Sequence, residues 1–356
     1  REREREAMSS PHAVVLPYPA NGHVIPLLEV SHRLVDLGYK VTFVNTEHNH
    51  RRLLAASGEA AELERLRLVS VPDGMDPGED RNDLGRLTAA FLRVMPGHLE
   101  ELIRKADGDI TCMVADQGMA WALEVARKVG IRAAAFWSAS AGMLAAILSI
   151  PKLIQNGVID SDGRPLTANP TFRLAAGMPE MDDSYLVWNN CSKPASQPVI
   201  YRHFLNNNRA TDIAEFVLCN SFAEIERPVF AYAPRVLPVG PLLASQRRRR
   251  GNLWPEDPGC TAWLDGQPEK SVVYAAFGSS AVFDRGQLRE LALGLELSGR
   301  PFLWVARPDL APGEGTPAAG FQERVGARGR VVGWAPQQEV LAHPAVGCFL
   351  THCGWN

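Results

Sequence analysis

The stretch "AVVLPYPANGHVIPLLEV", Ala13 to Val30, governs the reading of everything after it. A short run, "AVVLP", apolar on both faces, leads through a Pro- and Gly-bearing turn into apolar residues at helical spacing, which predict a helix over Ile25–Leu37. A strand without polar alternation needs cover on both faces, as in a parallel sheet wrapped by helices. The pattern recurs. "KVTFVN", "LRLVSV", "ITCMVAD" and "RAAAF" read as strands, with helices expected over Leu84–Lys105 and Trp121–Val129. Ala139 to Ile150 is too short to span a bilayer, which takes about 20 residues, and reads as a core helix. Ile150 to Arg209 breaks the rhythm with Pro, Gly, Asn and isolated aromatics and reads as an insertion; "EFVLCNS" and "RVLPVG" then resume it. Residues 11–242 are therefore expected to form a doubly wound α/β domain, and 243–259, rich in Pro and Arg, a linker.

After Cys260 the alternation restarts with "SVVYAAFGS", a helix around Gln287–Ser298, "PFLWVAR", "RVVGWAP", a short helix Gln338–Ala342 and "AVGCFLTH". A second α/β domain over 260–356 is expected, with about four strands against the usual five or six. Its final run, "CFLTHCGWN", is a buried strand turning into a helix start, and that strand is expected to lack a covering helix.

The 356 residues, 46% hydrophobic and 22% charged, suit about two domains. A net charge of −3 supplies no broad positive field, so nucleic acid is not an expected partner. Arg247 to Arg250 is either a basic contact patch or a solvated linker, and its Pro- and Gly-rich flanks favour the linker. Cysteines 112, 191, 219, 260, 348 and 353 contain no C-x-x-C pair, which points to reduced thiols in a cytoplasmic protein. Cys348, His352 and Cys353 offer three ligands at most, two of them adjacent, so no metal site is expected. "REREREAMSS" lacks the apolar core of a signal peptide and is expected to be a disordered leader over 1–10.

In open α/β sheets ligands bind outside the carboxyl ends of the strands, so two facing domains leave a cleft and functional residues belong in the loops after strands. Asn21 is suited to cap the first helix, Gly22 lets backbone approach a ligand, and Pro26 in the first turn loses little by lacking an N–H. His23 then sits at a helix start, either as a packing or capping residue or as a general base. Asp116, ending "TCMVAD", is either an N-cap or the carboxylate that fixes the tautomer of His23 and offsets its developing charge. A helix start disfavours imidazolium, so His23 is expected to be neutral. No G-x-G-x-x-G follows the first strand and no G-x-x-x-x-G-K-[ST] occurs. Diphosphate candidates lie instead at Gly278 and Ser279 and in the turn formed by His352, Cys353, Gly354, Trp355 and Asn356, where backbone N–H groups and the side chains of His352 and Asn356 are available. Trp334 offers a flat face for a base or is a core aromatic.

"WAPQQEVLAHPAVGCFLTHCGWN", Trp334 to Asn356, resembles the first half of the signature box of plant secondary product UDP-glycosyltransferases. "PYPANGHVIPLLEV", "VADQGMAWALEVA", "VLCNSF", "VGPL", "WLD", "VVYAAFGS" and "FLWVARP" follow in that family's order. The resemblance implies the GT-B arrangement: two facing Rossmann-like domains, acceptor on the first and UDP-sugar on the second. It implies His23 as the base that deprotonates an acceptor hydroxyl and Asp116 as its partner. Trp334 would stack on uracil, Ala335 read its edge, Gln337 lie near the ribose, and His352 and Asn356 hold the diphosphate. Ser138 in "FWSAS" would lie near the sugar, and the loop after Trp137 would wall the acceptor. Attack opposite the leaving UDP would turn an α-linked donor, glucose by family weight, into a β-glycoside of a small plant metabolite. UDP-sugar is a co-substrate there; no cofactor or metal is implied, and the enzyme is expected to be a monomer without membrane insertion.

The family's box continues beyond Asn356 with a phosphate-binding serine, a ribose-binding glutamate and a sugar-binding acidic–amide pair. The sequence is accordingly expected to be C-terminally truncated, its second domain incomplete. The alternative to an active transferase is a non-catalytic remnant that at most binds acceptor.

Overall fold

The structure, a computed structural model, describes residues 10–57, 65–106, 109–189, 193–242, 255–278, 281, 283–307 and 320–356. The leader at 1–9, Arg247 to Arg250, Cys191 and Ser279 lie outside them. The chain divides into two compact units, Arg1–Leu54 with Gly58–Arg247 and Asn356, and Ala55–Ser57 with Arg248–Trp355. Asn356 groups with the first unit.

The first unit runs β1 (His12–Leu16), α1 (Asn21–Asp36), β2 (Lys40–Thr46), α2 (Glu47–Ser57), β3 (Leu66–Val71), α3 (Leu84–Lys105), β4 (Cys112–Asp116), a 3-10 turn (Gln117–Met119), α4 (Trp121–Val129) and β5 (Arg132–Trp137). It continues through α5 (Ala141–Leu148), α6 (Ile150–Gln155), α7 (Gln197–Thr211), β6 (Phe216–Cys219), α8 (Ala223–Tyr232) and β7 (Val236–Pro238). Its seven strands order as β3-β2-β1-β4-β5-β6-β7, all parallel. Ala13, Val14 and Val15 of β1 are fully buried, as two-sided cover requires. The strand order reverses direction between β1 and β4, and at such a switch point the flanking loops diverge and open a crevice.

Two sequence expectations need correction. The helix after β1 begins at Asn21, not Ile25; its N-cap is Ala20 without a side-chain cap, so Asn21 is the first helical residue. Pro26 thereby falls in the second turn, where its missing N–H leaves the carbonyl of Gly22 without its helical partner. That carbonyl accepts from Asn356 Nδ2 at 2.9 Å. The irregular stretch after Ile150, in turn, belongs to the main core: Leu153, Phe172, Met181, Leu186, Trp188 and Tyr201 all join it, and Trp188 is wholly buried.

The second unit contains α9 (Gly259–Asp265), β8 (Val272–Ala276), α10 (Arg285–Leu297), β9 (Phe302–Val305), α11 (Phe321–Val325), β10 (Gly329–Val332), α12 (Gln337–Ala342) and β11 (Val346–Thr351). The sheet orders as β10-β9-β8-β11, again parallel, with its switch between β8 and β11. Trp304, Tyr274, Phe302 and Phe321 fill its interior. β11, expected as a buried strand, is an edge strand none of whose residues is buried, with Phe349 stacked on Tyr274 at 5.0 Å between ring centroids.

Candidate active site

In the first unit the switch point gathers the side chains singled out from sequence. His23 lies in the first turn of α1, directly after β1, and Asp116 ends β4, the strand paired with β1. His23 Nδ1 is 2.8 Å from Asp116 Oδ2; the imidazole side chain is 27% exposed and the carboxylate fully buried. A carboxylate only accepts, so Nδ1 carries the proton and Nε2 is left as the basic nitrogen. The other oxygen of Asp116, Oδ1, accepts from Gly118 N at 2.8 Å and caps the 3-10 turn. Asp116 thus caps the turn with one oxygen and pairs with His23 through the other.

Ser138, directly after β5, adds a third element: its Oγ lies 3.1 Å from the same Nδ1. The ring of Tyr18 packs on the imidazole at 5.2 Å between centroids. Burial pushes the pKa of His23 down, but the charge of Asp116 and the hydrogen bond to it push it further up, so it ends raised from 6.5. The shift is opposite in sign to the one expected of a helix start. A full carboxylate charge at 2.8 Å outweighs the partial charges of the first helical turn. A raised pKa makes Nε2 a more basic proton acceptor, available only above that pKa.

The loop carrying Ser138 is braced from behind. Trp137, expected against an acceptor, is 5% exposed, and its indole N–H donates to Ser140 O at 2.8 Å. Glu226 of α8 accepts from the N–H groups of Ala141 and Gly142, both at 2.8 Å, closing the start of α5. Gly22, also expected on the acceptor side, is open: a Cβ there would meet nothing within 4 Å. Asn356 Nδ2 donates to Ser138 O at 2.8 Å as well as to Gly22 O, and its Oδ1 accepts from Asn220 Nδ2 at 2.8 Å.

In the second unit, Gly278 after β8 and His352 after β11 flank the other switch. Gly278 has φ +67°, and a Cβ on it would lie 2.5 Å from His352 Nε2, so glycine is required for both conformation and approach. A Cβ on Gly354 would lie 2.4 Å from the same nitrogen. Arg307, only 3% exposed, donates to Gly278 O at 2.6 Å and to Ala281 O at 3.3 Å. Burial, and then the charge of Arg307, hold the pKa of His352 below 6.5, which makes its ring a neutral donor. Trp334 is partly buried against the core containing Ala335, its carbonyl accepting from Asp257 N at 2.9 Å. Gln337 opens α12, half-buried. Trp355 is 41% exposed.

Sequence reasoning gave no role to Tyr18, Arg307 or Glu226. "FLWVAR" carried the one available signal, an arginine ending an otherwise apolar strand. Among the described residues no three His, Cys, Asp or Glu side chains cluster as a metal site, and no helix is long and apolar enough to cross a membrane. Cys112, Cys219, Cys260, Cys348 and Cys353 are free thiols.

Two parallel, doubly wound sheets, one with a histidine–aspartate pair at its switch point and the other with a glycine-lined histidine at its own, define an α/β protein built of Rossmann-like units. Residues 252–356 match the family described as UDP-glucoronosyl and UDP-glucosyl transferase. The chain is 42% identical to UDP-glycosyltransferase 83A1 of Arabidopsis thaliana over 98% of its length and 76% of the relative's. It is 34% identical to linamarin synthase 1 of Manihot esculenta, covering 97% of this chain and 77% of that protein. Among solved structures it resembles Os79 of O. sativa in complex with UDP, with TM-score 0.76 and 28% identity over 97% of this chain and 78% of that one. It also resembles Phytolacca americana UGT2 complexed with UDP-2fluoro-glucose and pterostilbene, with TM-score 0.74 and 27% identity over 98% and 77% of the two chains. The chain belongs to the plant UDP-glycosyltransferase family and has its GT-B type of α/β fold.

Proposed function

We propose that the protein transfers a glucosyl group from UDP-glucose, with inversion, to a hydroxyl of a small plant metabolite, and that His23 is the general base. The observation that carries this is the His23–Asp116 pair at the switch point, with Nδ1 committed to the carboxylate and Nε2 basic. An acceptor hydroxyl within hydrogen-bond reach of Nε2 loses its proton as its oxygen bonds to the anomeric carbon. The carbon–oxygen bond to UDP breaks on the opposite face, and UDP leaves with the bonding pair. Asp116 offsets the imidazolium that forms. Such a placed base contributes roughly 10² to 10⁴ in rate.

The second unit supplies the nucleotide side of the proposal. The neutral ring of His352, seated between Gly278 and Gly354, donates to the diphosphate, where negative charge grows as UDP departs. Trp334 faces uracil, with Ala335 and Gln337 beside it; Ser138 keeps its place beside Nδ1, and Trp137 supports its loop. Solved relatives were captured with UDP and with UDP-2fluoro-glucose, which agrees with a UDP-sugar as donor.

The test is incubation of the protein with UDP-glucose, UDP-galactose and UDP-glucuronic acid against phenolic, terpenoid and cyanohydrin hydroxyls, with product anomers assigned by NMR. A β-glucoside formed from UDP-glucose is the expected result. An α-product would overturn inversion, and preferred use of another sugar would overturn glucosyl transfer.

A further inference from the structure

His203 lies on α7, in the stretch that the sequence presents as an irregular insertion, yet it is only 5% exposed and faces the back of the His23–Asp116 pair. Its Nε2 is 2.7 Å from the carbonyl of Gly118. A carbonyl oxygen can only accept, so Nε2 bears the proton. Asn207 Nδ2 lies 3.0 Å from the same nitrogen, and the tautomer that donates to Gly118 calls for a half-turn of that amide, which brings its oxygen there instead. Burial drives the pKa of His203 down to about 4, so the ring is neutral throughout the working range.

Gly118 connects His203 to the base. Its carbonyl takes the proton of His203, and its N–H holds Asp116 Oδ1 at 2.8 Å, while Asp116 Oδ2 holds His23 at 2.8 Å. A second path closes the circuit through packing. His203 meets Phe91 edge-on at 5.6 Å, Phe91 meets Tyr18 edge-on at 6.0 Å, and Tyr18 rests on His23 at 5.2 Å. A Cβ on Gly118 would lie 3.0 Å from Tyr18 Cδ2 and 3.1 Å from Asp116 Oδ1, so the circuit has no slack at that point.

We propose that His203 is a positioning residue: by holding the Gly118 carbonyl it fixes the Gln117–Met119 turn, and through it the carboxylate that sets the tautomer and basicity of His23. Its consequence for turnover rests on the reading of His23 as general base; the geometric claim does not. Among the described residues, Asp116 is the charged group whose field acts on either imidazole, so movement of that carboxylate registers directly at His23.

The experiment is an NMR titration of the full chain labelled with 15N-histidine, in the wild type, His203→Phe and His203→Gln. The wild type should show His23 titrating above 6.5 with its neutral form protonated on Nδ1. In His203→Phe the pKa of His23 should fall by about half a unit or more and the single-tautomer signature should weaken. In His203→Gln, whose amide N–H reaches the same carbonyl, both should return toward wild type. If transfer is measured in parallel, kcat should fall about tenfold in His203→Phe with the KM for UDP-glucose within about twofold. A folded His203→Phe with unchanged titration and tautomer at His23 overturns the proposal and leaves the transferase reading standing; an altered titration in His203→Phe, when the wild type shows no transferase activity, does the reverse. Should His203→Phe fail to fold, Gly118→Ala intrudes on the same carboxylate from the other side and must shift His23 likewise, and an unshifted ring there is equally contrary.

Discussion

His23 is described by two opposed forces, burial against a carboxylate at 2.8 Å, and the second prevails. Because the pKa is raised and a general base acts unprotonated, the role proposed for His23 predicts that kcat/KM rises with pH through a limb centred above 6.5. A limb at or below 6.5 would show that Asp116 does not set it. The sign for stability is the reverse: the pairing stabilises the folded state fully below 6.5, and that contribution is lost as pH rises through the folded pKa of His23. Asp116→Asn keeps the shape but removes the charge, leaving burial to act alone. The pKa of His23 should drop below 6.5 and turnover should fall by about 10² or more, as measured by the same titration and steady-state rates. At this scale the sequence was informative, because His23 and Asp116 each end a strand-to-helix transition. Ser138 was expected near the sugar, from the resemblance alone, and not as a neighbour of Nδ1, because contact between β1 and β5 loops depends on a strand order that no local pattern states.

The elements behind the site are held by polar groups that blur helical periodicity. On α7 the buried stripe runs through His203, Asn207 and Thr211, at 5%, 2% and 3% exposure, where an ordinary core helix would carry Leu or Val. With Pro198 and three consecutive asparagines in the same segment, "QPVIYRHFLNNNRAT" does not read as a core helix, though it is one. The start of α5 is held in the same manner: Glu226 takes the N–H groups of Ala141 and Gly142, and the hydroxyl of Ser221 donates to the same carboxylate. Glu226→Ala leaves buried donors at a helix start without acceptors. It should destabilise the protein by about 1 to 3 kcal/mol in urea unfolding, since an unsatisfied buried polar group costs that much. A change within 0.3 kcal/mol or so would mean that water replaces the carboxylate. The helices whose apolar stripe is unbroken, Leu84–Lys105 and Trp121–Val129, coincide with the sequence reading at both ends.

Over the whole chain, two parallel sheets share the same logic, with the residues proposed for the chemistry where the strand order reverses. The alternation of apolar, β-branched runs with helical patterns was sufficient to locate every described strand of both sheets, because such runs between turn residues have a composition that loops lack, even where, as in β11, the strand is not buried. Sheet order was not legible, since pairing is decided by crossover handedness and packing rather than by any single segment. Nor was the role of Arg307, whose guanidinium is buried to hold Gly278 against His352. Arg307→Ala should loosen that loop and weaken UDP binding by about tenfold or more in calorimetry, with the His23 titration unchanged. The account turns on the nitrogen left free at His23, and the most direct measurement compares glucoside formation and UDP-glucose binding in wild type and His23→Ala. The expected result is binding within about threefold of wild type with transfer reduced by 10² or more. Transfer at the wild-type rate by His23→Ala would contradict the account.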